Sequence, residues 1–335
     1  MKIAILYNYW LNKKAPKDRR ISDNDIIKTV KIVRDVLKQE HRVKPIRYED
    51  GVINKIKEDG FEFVFNLCEG IRENNLGEAE VALKLDSIKM PYTGSGPLCL
   101  ETCLNKKTTK DILTENGINT PQYVLFSYSR KTYDFDIKLN YPLIVKPVHE
   151  DGSVGITEKS VVDNKDQLIE IVEYVLKTYE QDVLVEEFID DTDLREINVS
   201  ILGNNGSIQA LPASEIVFKR WKNTPKIVSF VAKWDEQSEL YKKSVRICPT
   251  KISRDLEEKI VDMAIRAYQV TKCRDYGRID FRINNRGIYV LEVNPNPGIG
   301  DDSGFYASAK ASGLSYKDLI KKILSEASKR YEIKI

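Results

Sequence analysis

The feature that most constrains the fold is a two-part β pattern at residues 276–303, YGRIDFRINNRGIYVLEVNPNPGIGDDS. Apolar and polar residues alternate up to Ile283, a short Asn/Gly turn follows, and a second apolar run ends at Asn294. Two β-patterned runs joined by such a turn predict an antiparallel hairpin. Pairing of the two strands would bring Asp280 close to Glu292 and Asn294.

These three side chains carry oxygen and stand among apolar neighbours. Burying carboxylates together is costly unless a cation neutralises them. A hard divalent cation suits this role, because Mg²⁺ binds carboxylate and carbonyl oxygens and shares its other positions with phosphates and water. The pattern therefore predicts a metal site. A surface hairpin with scattered charges is the alternative.

The motif GRIDF, its hairpin turn and the following LEVNPNPG resemble the C-terminal metal-binding part of the ATP-grasp ligases. The D-alanine–D-alanine ligase group is the most similar, and the resemblance continues into the closing segment GLSYKDLIKKILSEASKR. It implies that Asp280, Glu292 and Asn294 hold two Mg²⁺ ions, or Mn²⁺ in their place, on the phosphates of ATP.

Charge and hydropathy exclude two classes of partner. The chain of 335 residues has 53 Lys plus Arg against 51 Asp plus Glu, and this balance argues against a nucleic-acid partner. No apolar run approaches the roughly 20 residues that span a bilayer. The start, MKIAILYNYW, is too short an apolar run for a signal peptide. We therefore expect a cytoplasmic protein without a membrane partner.

Five cysteines form no CxxC pair and are odd in number, which argues against a disulfide framework or a structural zinc site. Reduced core thiols are the default interpretation. Cys99 and Cys103 lie four residues apart, so in a helix they would share one face.

The N-terminal part alternates strand and helix patterns, with apolar strands at residues 2–7, 43–47 and 61–67. Ser22 and Asp25 resemble a capping box before the first helix. From residue 122 the pattern becomes a mixture of helices and hairpins. We predict an α/β N-terminal parallel-sheet domain followed by α+β ATP-grasp central and C-terminal domains with mostly antiparallel sheets, at residues 1–121, 122–190 and 191–335.

The apolar strand YPLIVKPV carries one lysine, Lys146, at its centre. A lysine in a strand core is costly, and an anion is the usual partner. The next loop, HEDGSVGI, places glycines around Ser153, and such a loop can direct backbone N–H groups at a phosphate. A simple β-turn is the alternative. Together the strand and loop resemble the ATP-grasp flap over the β- and γ-phosphates.

Three further matches to the family concern the nucleotide. The first is the segment EEFI, which resembles the hinge whose backbone reads the adenine, at Glu186, Glu187, Phe188 and Ile189. Glu196 matches the carboxylate that holds the ribose hydroxyls. Lys106 matches a lysine that contacts the phosphates, although on spacing alone Lys106 and Lys107 are typical of a solvated helix face.

Residues 219–243 form a long polar segment with aromatic anchors, and loops of this length are usually lids or binding loops. Lys233 matches the family lysine on the mobile loop that closes over the γ-phosphate. Such a lid would protect a labile intermediate from water.

The resemblance implies that a carboxylate becomes an acyl phosphate, which an amine then attacks to give an amide, ADP and phosphate. The anions involved repel one another unless cations screen them. Lys106, Lys146, Lys233 and Arg278 would supply those charges. In the family the arginine that matches Arg278 also holds the tetrahedral oxyanion. Ser303 falls where the second amino acid's carboxylate binds, and a helix-initiating or turn serine is the alternative.

The resemblance is weakest where the first substrate would bind. The segment NYWLNKKAPKDRRIS lacks the acid that grips the ammonium of the first D-alanine in the family. We hypothesise that the acyl donor differs from D-alanine and that a basic set favours extra negative charge, although a solvated loop is an equal alternative. The set comprises Lys13, Lys14, Lys17, Arg19 and Arg20.

The leading function is an ATP-dependent ligase that joins a small carboxylate donor to the amine of an amino acid or peptide-like acceptor. A D-alanine–D-alanine ligase with a rebuilt first site is a close alternative. A nucleotide-binding regulatory module and a phosphotransferase that stops at the acyl phosphate are alternatives from other classes. The family also allows a homodimer.

Overall fold

The computed structural model describes residues 1–8, 26–69, 77–130, 132–204, 206–219, 221 and 224–334. The N-terminal part is a three-stranded sheet in which β1 (Lys2–Tyr7) lies between two parallel neighbours, β2 (Arg42–Arg47) and β3 (Phe63–Leu67). Since parallel strands need crossover connections, helices α1 (Ile26–Leu37) and α2 (Val52–Glu58) link them. The predicted parallel sheet is confirmed.

Three helices connect this sheet to the rest of the chain. The first two pack against each other, and the third begins directly after the second. Asn105 separates these last two, and its side chain caps the third helix by accepting a hydrogen bond from the N–H of Thr108 at 3.0 Å. They are α3 (Gly77–Ser87), α4 (Pro97–Leu104) and α5 (Lys106–Glu115).

The second sheet has four antiparallel strands in the order β4, β7, β5, β6. A single helix packs on it, and its apolar spacing buries Leu168, Val172, Val175 and Leu176 against the strands. The elements are β4 (Tyr123–Phe126), β5 (Leu143–Pro147), a 3₁₀ turn (Glu158–Ser160), β6 (Val161–Val162), α6 (Lys165–Tyr179) and β7 (Val183–Glu187).

The third sheet is antiparallel in the order β11, β10, β8, β12, β13, with the short β9 paired to β8. The predicted hairpin forms its β12 and β13 strands. Two short helices stand between β10 and β11. The elements are β8 (Arg195–Leu202), β9 (Gln209–Ala210), β10 (Ser214–Phe218), α7 (Phe230–Trp234), α8 (Glu239–Lys243), β11 (Ser244–Ile247), α9 (Arg254–Val270), β12 (Tyr276–Asn284) and β13 (Gly287–Asn294).

Two helices close the chain, α10 (Gly304–Ala311) and α11 (Tyr316–Arg330). The apolar face of α11 packs with the N-terminal sheet in one core, which also contains Phe305 of α10 and Tyr276 at the start of β12. The two ends of the chain therefore share a core, and this contact fixes the N-terminal sheet beside the hairpin. Within the described residues, no helix combines the length and apolar character needed to cross a membrane.

Two predictions lie outside the described residues. They are the capping box at Ser22 and Asp25, and the basic set Lys13, Lys14, Lys17, Arg19 and Arg20.

Candidate functional site

The hairpin brings the predicted metal ligands together. Asp280 lies directly opposite Glu292, and Arg278 lies opposite Asn294. The register shifts just after Asp280, where an irregularity separates the polar end of the hairpin from its apolar end. The pairing proposed from the turn and the alternation is therefore the pairing that the strands adopt.

Asp280 is 7 % exposed and is surrounded by donors. Arg278 donates two parallel hydrogen bonds to its carboxylate, each of 2.7 Å, and Asn198 and Asn294 donate others at 2.7 and 3.1 Å. Burial alone would raise the pKa of Asp280, but the adjacent Arg278 outweighs it and the pKa is lowered. Asp280 is thus an anion held by a forked ion pair.

Glu292 has the opposite electrostatic environment. Burial and the negative charge of Asp280 both raise its pKa, and they outweigh the more distant cations Lys106 and Arg278. A carboxyl that is driven toward its neutral form beside another carboxylate is a site where a divalent cation would be favourable. The donor set also includes the amide oxygen of Asn294, because its Nδ2 is the atom that donates to Asp280.

Lys146 finds its anionic partner within the protein. Its ammonium donates to Oε2 of Glu186 at 2.9 Å, and the ammonium of Lys110 lies 3.3 Å from the other carboxylate oxygen. The side chains of Lys110 and Glu186 are each only 1 % exposed. Burial lowers the pKa of Lys110 to about 8, although Glu186 acts against this shift. Two cations, of which Lys110 is the more deeply buried, therefore share one carboxylate.

The glycine-rich loop contacts the predicted lid, residues 219–243. The hydroxyl of Ser153 donates to the carbonyl of Val228 at 2.8 Å, and the indole of Trp234 donates to the carbonyl of Gly152 at 2.9 Å. Gly152 and Ser153 both have positive φ, 63° and 64°, which is uncommon for serine. Neither of their N–H groups has a hydrogen-bond partner in the described part of the chain. Lys106 donates to the carbonyl of Glu150 in the same loop.

Lys233 extends from α7 toward the hairpin. Burial and the positive charge of Arg278 lower its pKa, and the carboxylates of Glu292, Asp280 and Asp151 act in the opposite direction. Its ammonium makes no salt bridge to any described residue. Lys233 thus lies within electrostatic range of Asp280 and Glu292, two of the predicted metal ligands.

The predicted hinge follows β7. The N–H groups of Glu187 and Phe188 donate to the carbonyls of Gln122 and Pro142, both at 2.9 Å. The N–H of Ile189 has no partner among the described residues. The Glu187 carboxylate accepts two hydrogen bonds from Asn140, one from its backbone N–H and one from its side-chain amide.

Arg282 was missed by the sequence analysis and joins three segments at this hinge. Its guanidinium donates to Oε2 of Glu196 at 2.8 and 3.1 Å, to the carbonyl of Ile189 at 3.0 Å, and to the carbonyl of Lys226 in the lid. It also stacks on the ring of Phe188, with 4.8 Å to the ring centroid. The alternation of β12 could have indicated that Arg282 shares a face with Asp280, but not which groups it meets.

Ser303 initiates α10. Its hydroxyl accepts a hydrogen bond from the N–H of Tyr306 at 3.1 Å, so it is the helix N-cap. The guanidinium of Arg246 lies beside this end: a Cβ added to Gly304 would stand 3.1 Å from its Nε. The alternative of a helix-initiating serine therefore describes the observed geometry, and the free hydroxyl hydrogen can still be donated to a ligand.

The segment PYTGSG, residues 91–96, connects α3 to α4 and has a structural task. The N–H of Ser95 donates to the side chain of Asn296 at 3.0 Å, and Asn296 donates to Glu78 at 2.8 Å. A Cβ on Gly94 would lie 2.6 Å from the Asn296 oxygen, so this close approach needs glycine. Burial raises the pKa of Glu78 well above its ordinary value. The motif thus fixes the NPNPG loop that ends the hairpin.

Comparison with known proteins agrees with this architecture. Residues 112–325 match the family model described as D-ala D-ala ligase C-terminus. The chain is 35% identical over 269 residues to protein y4sG of Sinorhizobium fredii, which is described as uncharacterized (80% of this chain, 75% of that protein). It is 33% identical over 302 residues to a D-alanine–D-alanine ligase of Carboxydothermus hydrogenoformans (88% and 90%).

Among solved structures, a D-alanine–D-alanine ligase of Bacillus anthracis complexed with ATP superposes with a TM-score of 0.77. The match covers 99% of both chains at 23% sequence identity. At this identity the likeness establishes a shared fold.

Proposed function

Because this chain belongs to the D-alanine–D-alanine ligase family, and is thus an ATP-dependent carboxylate–amine ligase of the ATP-grasp type, we propose that its reaction takes place beside the β12–β13 hairpin. The observation that carries this proposal is the convergence at one end of the hairpin of Asp280, Glu292, Asn294 and Arg278. Lys233 of the lid approaches the same charges.

Magnesium is the proposed metal, with Asp280, Glu292 and Asn294 as its ligands. The raised pKa of Glu292 supports the fit, because a divalent cation would relieve the repulsion between two opposed carboxyls. When bound, two such ions screen the phosphates and favour charge development on the transferred phosphoryl group. Mn²⁺ has the same ligand preference and is the expected substitute.

The protein's own cations would complete this screening. Lys146 lies at the edge of the buried cluster that it forms with Glu186 and Lys110, and its side chain is 14% exposed. It can therefore reach a phosphate without leaving Glu186. The N–H groups of Gly152 and Ser153 would contribute neutral donors from the loop above.

The nucleoside would bind at the hinge. The N–H of Ile189 is available to the base, while the Phe188 ring provides an apolar wall. Both contacts of Arg282 to Glu196 fall on Oε2, so Oε1 remains available to accept hydrogen bonds from ribose hydroxyls. Arg282 would then be a positioning residue for the nucleotide.

Arg278 has two proposed tasks. Paired with Asp280 it holds that carboxylate in place, and its remaining N–H groups can stabilise the oxyanion that forms when the amine attacks the acyl phosphate. Ser303 and the first N–H groups of α10 would bind the carboxylate of the acceptor amino acid.

An assay of ADP release tests the proposal. With Mg²⁺, ATP and a panel of D- and L-amino acids, dicarboxylates and dipeptides, we expect ADP formation that depends on both an acid and an amine. A condensed product should appear in the mass spectrum. ADP release without amine dependence, or nucleotide binding without turnover, would contradict the proposal. Fast turnover on D-alanine alone would reject the altered donor and indicate a D-alanine–D-alanine ligase.

A further inference from the structure

Three cysteines that are far apart in the sequence meet in the core between α4 and the base of β12. Cys99 and Cys103 stand one turn apart on α4, and Cys273 belongs to the connection between α9 and β12. The sulfur of Cys99 lies 4.0 Å from that of Cys103 and 3.6 Å from that of Cys273. All three sulfurs are within 4.8 Å of one another.

The spacing of the sulfurs distinguishes between two kinds of thiol chemistry. A thiolate-bound zinc ion has Zn–S bonds of about 2.3 Å, so tetrahedral geometry places its sulfurs about 3.8 Å apart. A disulfide needs an S–S bond of about 2.05 Å. The two separations from the Cys99 sulfur, 4.0 and 3.6 Å, are close to the first value, and the third lies within 4.8 Å. The cluster therefore matches the cage of a metal ion better than it matches a disulfide.

The residues around the three cysteines indicate which kind of ion they would bind. The three residues are at most 9 % exposed and belong to the apolar core beneath the third sheet. Two hydroxyls border the cluster: that of Thr271 lies 3.4 Å from the Cys273 sulfur, and that of Ser95 lies beside Cys99 and Cys273. Thiolates prefer thiophilic ions such as zinc over Mg²⁺ or Mn²⁺. With three thiolates, a divalent ion leaves less buried negative charge than a monovalent ion would.

We propose that Cys99, Cys103 and Cys273 form a structural site for one thiophilic divalent cation of the Zn²⁺ class. Binding replaces the thiol protons, which leave to solvent, by three metal–sulfur bonds. The ion would tie α4, which leads through Asn105 into Lys106, to the strand that carries Arg278.

Cadmium is the probe, because its thiolate complexes absorb in the ultraviolet where the free thiols do not. Reduced, metal-stripped protein should bind one Cd²⁺ per chain with a charge-transfer band whose intensity indicates three thiolates, and its thermal unfolding midpoint should rise. The charge-transfer band should be absent from each of the variants Cys99→Ser, Cys103→Ser and Cys273→Ser. If one of them does not fold, the other two still decide the matter.

Cys68→Ser is the matched control, since Cys68 is equally buried but lies outside the cluster. Cys248→Ser controls for binding at a more accessible thiol. Both should keep the band and its stoichiometry. Absence of a band in the unmodified protein, or a band that survives all three cluster substitutions, would overturn the proposal. Because the readout is a spectrum, it is independent of the ligase reaction.

Discussion

Replacement of Arg282 by methionine tests the interpretation of the nucleotide hinge. Methionine keeps much of the length and apolar volume of the side chain but removes all of its donors. The change would leave the Glu196 carboxylate without its cation and would free the carbonyls of Ile189 and Lys226. Three segments that now share one guanidinium would then be held only by their own packing.

The burial of the Arg282–Glu196 pair determines how much stability its loss should cost. The side chains of Arg282 and Glu196 are 5% and 13% exposed, so the small values typical of surface ion pairs do not apply. Removing one partner of a buried pair destabilises a protein by about 3–5 kcal/mol. We expect a decrease of that size in the free energy of unfolding. In a double-mutant cycle with Glu196→Gln the coupling should be about 1.5–3 kcal/mol, the range for hydrogen bonds to charged groups.

Two assays report the outcome. Urea unfolding gives the stabilities of the cycle, and steady-state kinetics give KM for each substrate. If Glu196 receives the ribose hydroxyls, loss of its orientation should raise KM for ATP about tenfold, equivalent to about 1.4 kcal/mol. The KM values of the acid and the amine should change little. This separation between substrates is the signature that a purely structural role would lack.

Arg195→Met is the matched control. Arg195 is on the neighbouring strand and forms a partly buried, forked pair with Glu215. Its loss should lower stability but leave KM for ATP unchanged. The reasoning about Arg282 is refuted if Arg282→Met leaves both stability and KM for ATP unaltered, or if the two arginine variants raise KM for ATP equally.

Three other expectations follow from the site. Asp280→Asn and Glu292→Gln should each lower kcat by at least about a hundredfold and weaken Mn²⁺ binding measured by electron paramagnetic resonance; full turnover in both would exclude a metal role. Lys110 has a pKa of about 8 in the fold and 10.5 ordinarily. Between these values the unfolded chain binds the proton that the folded chain has released, so stability rises with pH. Relative to Lys110→Met, the protein should gain about 3 kcal/mol from pH 8 to pH 10.5 in urea titrations, and no gain would contradict the buried environment. Finally, Lys233→Met should lower kcat with little change in the free energy of unfolding. A loss of stability that accounts for the loss of activity would indicate a structural lysine.

Local patterns predicted the elements well. The strand proposed for residues 2–7 has those bounds, and the alternation around the Asn/Gly turn gave the correct register of β12 against β13. Both depend on periodicity and turn chemistry, which act over a few residues. The opposition of Asp280 and Glu292 followed directly from them. Part of the candidate site was therefore accessible without any tertiary information.

Contacts between distant segments were not accessible in this way. The lysine in β5 was expected to need an anion, and the structure supplies one in Glu186, 40 positions away. Nothing in the sequence near Cys99 indicates that Cys273 joins it from 174 positions further on. Such pairs depend on how distant helices and strands pack against one another, and local periodicity does not determine this packing.

The charges of the site explain how one cleft could remain folded when empty and still attract a triphosphate. Arg278 is neutralised by Asp280, and Arg282 by Glu196, so these pairs hold the hairpin without needing a ligand.

The cluster of Lys110, Lys146 and Glu186 differs, because two ammonium groups share one carboxylate and a net positive charge remains. Lys146 is its more exposed member, and Lys233, which makes no salt bridge to a described residue, adds a second positive charge from the predicted lid. An anion that enters between them would satisfy a charge that the fold leaves uncompensated, whereas displacing either arginine would cost a pair already made. Affinity for phosphate should therefore depend on Lys146 and Lys233. The positions of the Asp280 and Glu196 carboxylates should depend on Arg278 and Arg282.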